Sequence, residues 1–121
     1  MGQNRREPII TDGVKLQQDT DQGVAMNADG TPCVSGVPFG VLMDEGSSGE
    51  FKAVCRLGFI PVKVGTASGS SAGSKVKPTT GGVALVTSTG ADSYYAVLEN
   101  DASANGALTG AWVNAVDRLT I

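Results

Sequence analysis

The chain has 121 residues and a mass of 12.3 kDa, room for one domain and no more. It is 40% hydrophobic, 5% aromatic and 17% charged, with 17 glycines, which excludes a charge-driven disordered chain, a coiled coil and a long helical bundle. A net charge of −3 and a pI near 4.7 leave no basic footprint for nucleic acid or an anionic membrane, and the absence of histidine removes imidazole-based catalysis and His-containing zinc sites.

Residues 1–30 show no sustained period. Met1 to Pro8 is polar and contains Arg5 and Arg6, Ile9-Ile10 is a short apolar pair, and Gln17 to Gly23 is polar again. No signal-like segment is recognisable, and no apolar run approaches the roughly 20 residues of a membrane span. The expectation is a soluble protein made in a reducing cytoplasm, with Cys33 and Cys55 as free thiols. Residues 1–30 are expected to form an extended N-terminal arm, and residues 31–121 a β domain. Two readings of the arm stay open: a flexible terminus, or a segment that orders against a partner through Ile9, Ile10, Val14 and Leu16.

From Val34 onward the chain reads as strands and turns. Val37, Phe39, Val41 and Met43 alternate as in a half-buried strand over 34–43, with Pro38 marking an edge or bulge. Strands are predicted at Phe51–Arg56 and, after Gly58, at Phe59–Val64. Gly65 to Ser74 offers almost no side chain to bury and is expected as a mobile surface loop. Further strands are predicted at 75–77, 83–87, 94–98, 107–114 and 117–121. Asn105-Gly106 is a strong hairpin signal, because both residues accept positive φ. No segment has a helical period. The fold class is therefore all-β, a small antiparallel barrel or sandwich. An internal echo supports it: Phe39 to Ser48 (FGVLMDEGSS) aligns without gaps on Tyr95 to Ala104 (YAVLENDASA), as two related hairpin units closing one barrel would.

Candidate chemistry is sparse. Gly69 to Val76 has neither the spacing nor the following helix of a phosphate-binding loop. Asp19 to Gly23 opens like a calcium loop, but Gly30 stands where the bidentate glutamate belongs. The acidic turns Asp44-Glu45-Glu50 and Glu99-Asp101 read as solvated turns that hold a divalent ion only if they converge. Neither cysteine has an imidazole partner to lower its pKa. No catalytic residue, cofactor or metal is expected. Trp112 has two readings, the centre of a small core or an anchor between subunits.

The run Gly40 to Glu45, the Gly-Ser turn with Glu50, and then Leu57 to Val64 resemble small phage head decoration (cement) proteins, as do Ala72 to Val76 and Tyr95 to Glu99. The resemblance covers 34–121 and rests on pattern, not on an invariant motif. It implies a non-enzymatic virion protein on the capsid exterior, commonly a homotrimer, that binds the major capsid protein and bridges capsomers. On that reading Arg5, Arg6, Ile9 and Ile10 are candidates for capsid contact, and Tyr94 and Trp112 for the contact between copies. A small ligand- or glycan-binding β module of a tail, fibre or cell surface is the alternative, with Tyr94, Tyr95 and Trp112 exposed on one rim.

Overall fold

The computed structural model describes residues 6–87, 93–116 and 119–120. Ten strands alternate with turns: β1 Glu7–Lys15, β2 Ala25–Met26, β3 Gly40–Leu42, β4 Phe51–Lys63, β5 Lys75–Pro78, β6 Ala84–Val86, β7 Ser93–Tyr94, β8 Ala96–Leu98, β9 Leu108–Asn114 and β10 Leu119–Thr120. A 3-10 turn at Thr80–Gly82 is the only helical element among the described residues. The sheet runs β2-β3-β4-β9-β8-β5-β6, every pairing antiparallel, with β1 added on β4 and β7 paired with β10. A bridge from Val64 to Ala84 brings the end of β4 back towards β6. The protein is thus all-β, a nearly closed antiparallel barrel of seven strands.

Several elements differ from their sequence reading for local reasons. The strand expected over 34–43 shortens to β3, because Gly36 takes φ +74° and turns the chain before it can pair. The two strands expected around Gly58 are one, β4. Gly58 does not interrupt it but lets β1 cross closely: a Cβ there would lie 2.6 Å from the Glu7 carbonyl oxygen. The predicted 94–98 strand divides at Tyr95, where the chain passes from the β10 pairing to the main sheet. In the Asn105-Gly106 turn only Gly106 has positive φ, and Asn105 instead accepts a hydrogen bond from Ala67 N–H at 2.8 Å. The 65–74 segment forms no strand, yet it is pinned: Ser70 is buried, its hydroxyl donates to the Thr66 carbonyl, and its own carbonyl accepts from Ala102 N–H. Of the predicted 117–121 strand, Asp117, Arg118 and Ile121 lie outside the described residues.

Within the segment expected as an arm, Glu7–Lys15 pairs with β4, and Val14, Leu16, Val24, Ala25 and Met26 are buried. The core therefore draws on residues before 31.

The echo in the sequence has a larger structural counterpart. Lys15↔Phe51 and Val14↔Lys52 between β1 and β4 reappear as Lys63↔Leu108 and Val62↔Thr109 between β4 and β9. Ala25↔Val41 and Met26↔Gly40 reappear as Lys75↔Val97 and Val76↔Ala96, and Leu42↔Val54 as Leu98↔Ala111. Loop bonds repeat too: Gly23 N–H to Leu42 O matches Gly73 N–H to Leu98 O, and Gly49 N–H to Leu16 O matches Gly106 N–H to Val64 O. The molecule is a tandem repeat in which β4 closes the first unit and opens the second. Each unit has its own apolar centre. Val14, Leu16, Val24, Met26, Leu42 and Val54 form the first, and the corresponding Val62, Val64, Val76, Leu98 and Ala111 lie in the second, larger one. The larger centre also takes in Ala25, Val41 and Cys55 from the first unit, so the two units share one body.

Candidate functional site

The side chains with chemical potential are mostly committed to bracing loops. Asp19 accepts from Ser48 N–H at 3.0 Å, Asp21 pairs with Lys63, and Glu50 accepts from Ser47 N–H at 2.6 Å. Asp19, Asp21, Glu45 and Glu50 line one open polar cleft with Thr20, Gly46 and Ser47. In the second acidic turn, Asp101 accepts from Ala72 N–H at 2.9 Å and Glu99 from the Trp112 indole N–H at 3.0 Å. Among the described residues no group of three or more metal-ligating side chains gathers.

Both cysteines are buried and free. Burial pushes the Cys55 thiol up to about 11, and also raises Cys33 and Tyr95, the tyrosine further by the nearby Cys33 charge. Such thiols are poor nucleophiles, since the reactive form is the thiolate. Their effect is on stability. The unfolded chain ionises these groups at ordinary values, so above about pH 9 it binds fewer protons than the folded chain, and stability falls with rising pH. For Cys55 the contribution is complete below about 9, is lost as pH rises towards about 11, and amounts to roughly 2–3 kcal/mol. Thermal melts should therefore be flat up to about pH 8 and then decline, less steeply in Cys55→Ala; a midpoint unchanged at pH 10 would contradict the burial argument.

The residues expected to make contacts fall in two places. Arg6 forks onto Asp44 at 2.9 Å and onto the Met43 carbonyl at 3.1 Å, tying the start of β1 to the turn after β3. Arg5 lies outside the described residues. Ile9 and Ile10 are exposed on β1 (68% and 40%), and Ile9 falls where the pairing register shifts between Pro8 and Ile10. A bulge of this kind redirects a side chain outward and, with Pro8, protects an edge strand from indiscriminate pairing.

Tyr94 and Trp112 belong to a second surface. Trp112 is 46% exposed, which removes it from the centre of the core. Its ring stands edge-on to Phe59, centroids 5.1 Å apart at 72°. Phe59 pairs with Trp112, Trp112 with Val97 and Val97 with Lys75, so these side chains form one cross-strand row, in which Phe59 is wholly buried and Trp112 half-exposed. Lys75 Nζ lies 5.5 Å from the Tyr94 ring, which brings Tyr94 to the same region. Tyr95 is wholly buried, so the three-aromatic rim of the glycan-module reading does not form. Two features went unread in the sequence: the exposed Phe51 beneath Lys15, and Arg56 stacked 4.2 Å over Phe39 while donating to its carbonyl. Both depend on cross-strand registers that local patterning does not disclose.

The geometry defines a β-barrel with exposed apolar side chains, Ile9, Ile10, Phe51 and Trp112 among them, and acidic side chains largely engaged in loop contacts. No protein-family model matches the chain, and no curated protein does. Among solved structures it is similar to the N base of head fiber gp8.5 in bacteriophage phi29, at 13% identity and a TM-score of 0.67, over 93% of this chain and 98% of that one. At that identity the likeness establishes the shared fold.

Proposed function

We propose that this chain is a virion structural protein of a phage, seated on the outside of the capsid and free of catalytic activity. The observation that carries the reading is the end-to-end likeness of its barrel to the base of a phage head fibre. A fibre base is the part suited to seating a larger assembly on a shell, and the sequence independently resembles head decoration proteins. Its partner is the major capsid protein, with bridging of neighbouring capsomers as the mode of stabilisation, and no cofactor takes part. Copies associate as a homotrimer, so that several modest contacts to the shell act together. Ile9 and Ile10, with Arg5 and Arg6, form the capsid-facing contact; Tyr94 and Trp112 lie between copies.

Sedimentation with expanded and unexpanded capsids tests the reading. The protein should co-sediment with at least one form, and Ile9→Asp with Ile10→Asp should weaken that binding by about tenfold or more, as for an apolar anchor worth above 1 kcal/mol. Both side chains are exposed, so the melting temperature should stay close to that of the parent. A parent protein that remains in the supernatant with either capsid form would sink the proposal.

A further inference from the structure

We infer that copies of this chain associate head to tail: the Gly73 loop of one copy seats on the Lys15–Phe51 end of β1 and β4 in the next, as the Gly23 loop seats on Lys63–Leu108 within one chain. The inference rests on the reading that copies associate, and it names two unlike surfaces for that contact.

The tandem repeat supplies the seat. Lys15↔Phe51, the last pair between β1 and β4, is the counterpart of Lys63↔Leu108, the last pair between β4 and β9. In the second unit this end is covered from within the chain. Lys63 N–H donates to the Gly23 carbonyl at 2.9 Å, Asp21 pairs with Lys63, and a Cβ on Gly23 would lie 2.7 Å from Leu108 Cδ2. Pro61 and Gly110, a pair further along, are buried. In the first unit the same end is open. Phe51 is 77% exposed, and Lys15 and the corresponding pair Gly13↔Ala53 are exposed with it. Leu16 N–H donates to the Glu50 carbonyl, so by the alternation of a ladder Lys15 N–H points to the other edge of β1, as Lys63 N–H points to Gly23.

The loop that fills the seat also occurs twice. Gly73 is the counterpart of Gly23: φ is +87° against +84°, and its N–H donates to the Leu98 carbonyl where that of Gly23 donates to Leu42. Gly23 is buried, whereas Gly73 is exposed and a Cβ there meets nothing within 4 Å among the described residues. Downstream, Leu119 and Thr120 pair with Tyr94 and Ser93, at the opposite end of β8 from the Gly73–Leu98 bond. One copy of the loop and one copy of the seat meet inside the chain, and one of each is left over.

Charge agrees with the match. Glu45 and Asp21 line the cleft that holds Lys63 and Leu108. In the sequence echo the counterpart of Glu45 is Asp101, which is exposed and accepts from Ala72 N–H beside Gly73. Seating the Gly73 loop on the next copy therefore brings Asp101 to the Lys15 end, acid to base. The turn that carries Asp101 also carries Glu99, bonded to the Trp112 indole, so the contact is continuous with the Trp112 surface. A threefold ring requires a contact between unlike surfaces of this kind.

Light scattering on the full-length chain tests the match. The parent should run at three times 12.3 kDa, and Phe51→Asp on the seat and Ala72→Arg on the loop should each weaken association by about tenfold or more. Both side chains are exposed, so each variant should keep the circular dichroism of the parent. Mixing the two should restore association, because the loop of the first and the seat of the second are intact. Lys15→Glu and Asp101→Lys should each weaken it, and the double swap in one chain should recover it. A trimer whose mass none of these variants changes would overturn the inference and leave the reading that copies associate standing; so would a mixture in which both variants stay monomeric. A parent that is monomeric across the micromolar range would overturn both, while co-sedimentation with capsids judges the seat on the shell separately.

Discussion

Gly30→Ala is expected to be strongly destabilising, at a cost of about 3 kcal/mol or more. Gly30 has φ +88°, a left-handed conformation that side chains rarely adopt, and a Cβ there would overlap the Lys15 carbonyl. The crowding is backbone against backbone, so no side-chain rotamer relieves it. Gly30 also accepts from Gln17 N–H at 3.1 Å, and its own N–H donates to the Asn27 carbonyl at 3.1 Å. Pushing Lys15 away pulls on Val14 and Leu16, two members of the first apolar centre. Against a total stability of about 5–15 kcal/mol, that loss is severe. Gly36→Ala is the control. Its φ is +74°, but a Cβ there meets nothing within 4 Å, so only the conformational term of about 1 kcal/mol applies. Urea titrations of the two variants should differ clearly in midpoint; equal midpoints would show that the Lys15 contact yields without cost.

What the sequence disclosed, and what it withheld, follows from how each element earns its structure. The alternation of Val37, Phe39, Val41 and Met43 is visible in the sequence, whereas the burial of β3 on both faces, Val41 in the larger apolar centre and Leu42 in the first, is not. The echo between 39–48 and 95–104 is visible because strand and turn there keep the same length in both units. The echo between Val14-Lys15-Leu16 and Val62-Lys63-Val64 is as faithful in structure, but three residues are too few to stand out, and the loops that follow differ in length. β1 has no readable period because nearly all of it is exposed and its pairing register slips around Ile9. That is also why residues 1–30 read as an arm although Val14, Leu16, Val24, Ala25 and Met26 are buried. Trp112 invited a core assignment as the one large indole in a small protein. Its place on the outer face depends on the register of β9 against β4 and β8, which no local window contains. The Arg6–Asp44 fork and the Glu99–Trp112 bond link residues far apart in sequence and were illegible for the same reason.

The hydroxyl of Tyr95 should be a liability that one substitution removes. The side chain is among the largest fully buried ones, so Tyr95→Ala is expected to cost about 3–5 kcal/mol through lost burial and the cavity left behind. Its hydroxyl, however, finds no hydrogen-bond partner among the described residues. Burying a hydroxyl without a partner costs about 1–3 kcal/mol, whereas a benzene ring of the same outline has no such penalty. Tyr95→Phe should therefore raise stability by about 1 kcal/mol and the melting temperature by a few degrees. The repeat makes the substitution conservative in a strict sense, because the corresponding residue of the first unit is Phe39: the ring precedes β3 there as Tyr95 precedes β8, and Phe39 N–H donates to the Met26 carbonyl as Tyr95 N–H donates to that of Val76. The exchange thus installs in the second unit a residue the first already accommodates. The two positions differ in burial. Phe39 is half-buried under the Arg56 guanidinium, so Phe39→Tyr leaves room for its hydroxyl to reach water and should change the melting temperature little. A Tyr95→Phe protein that melts below the parent would mean that the hydroxyl makes a bond worth more than its burial costs, and the asymmetry between the two rings would then need another cause.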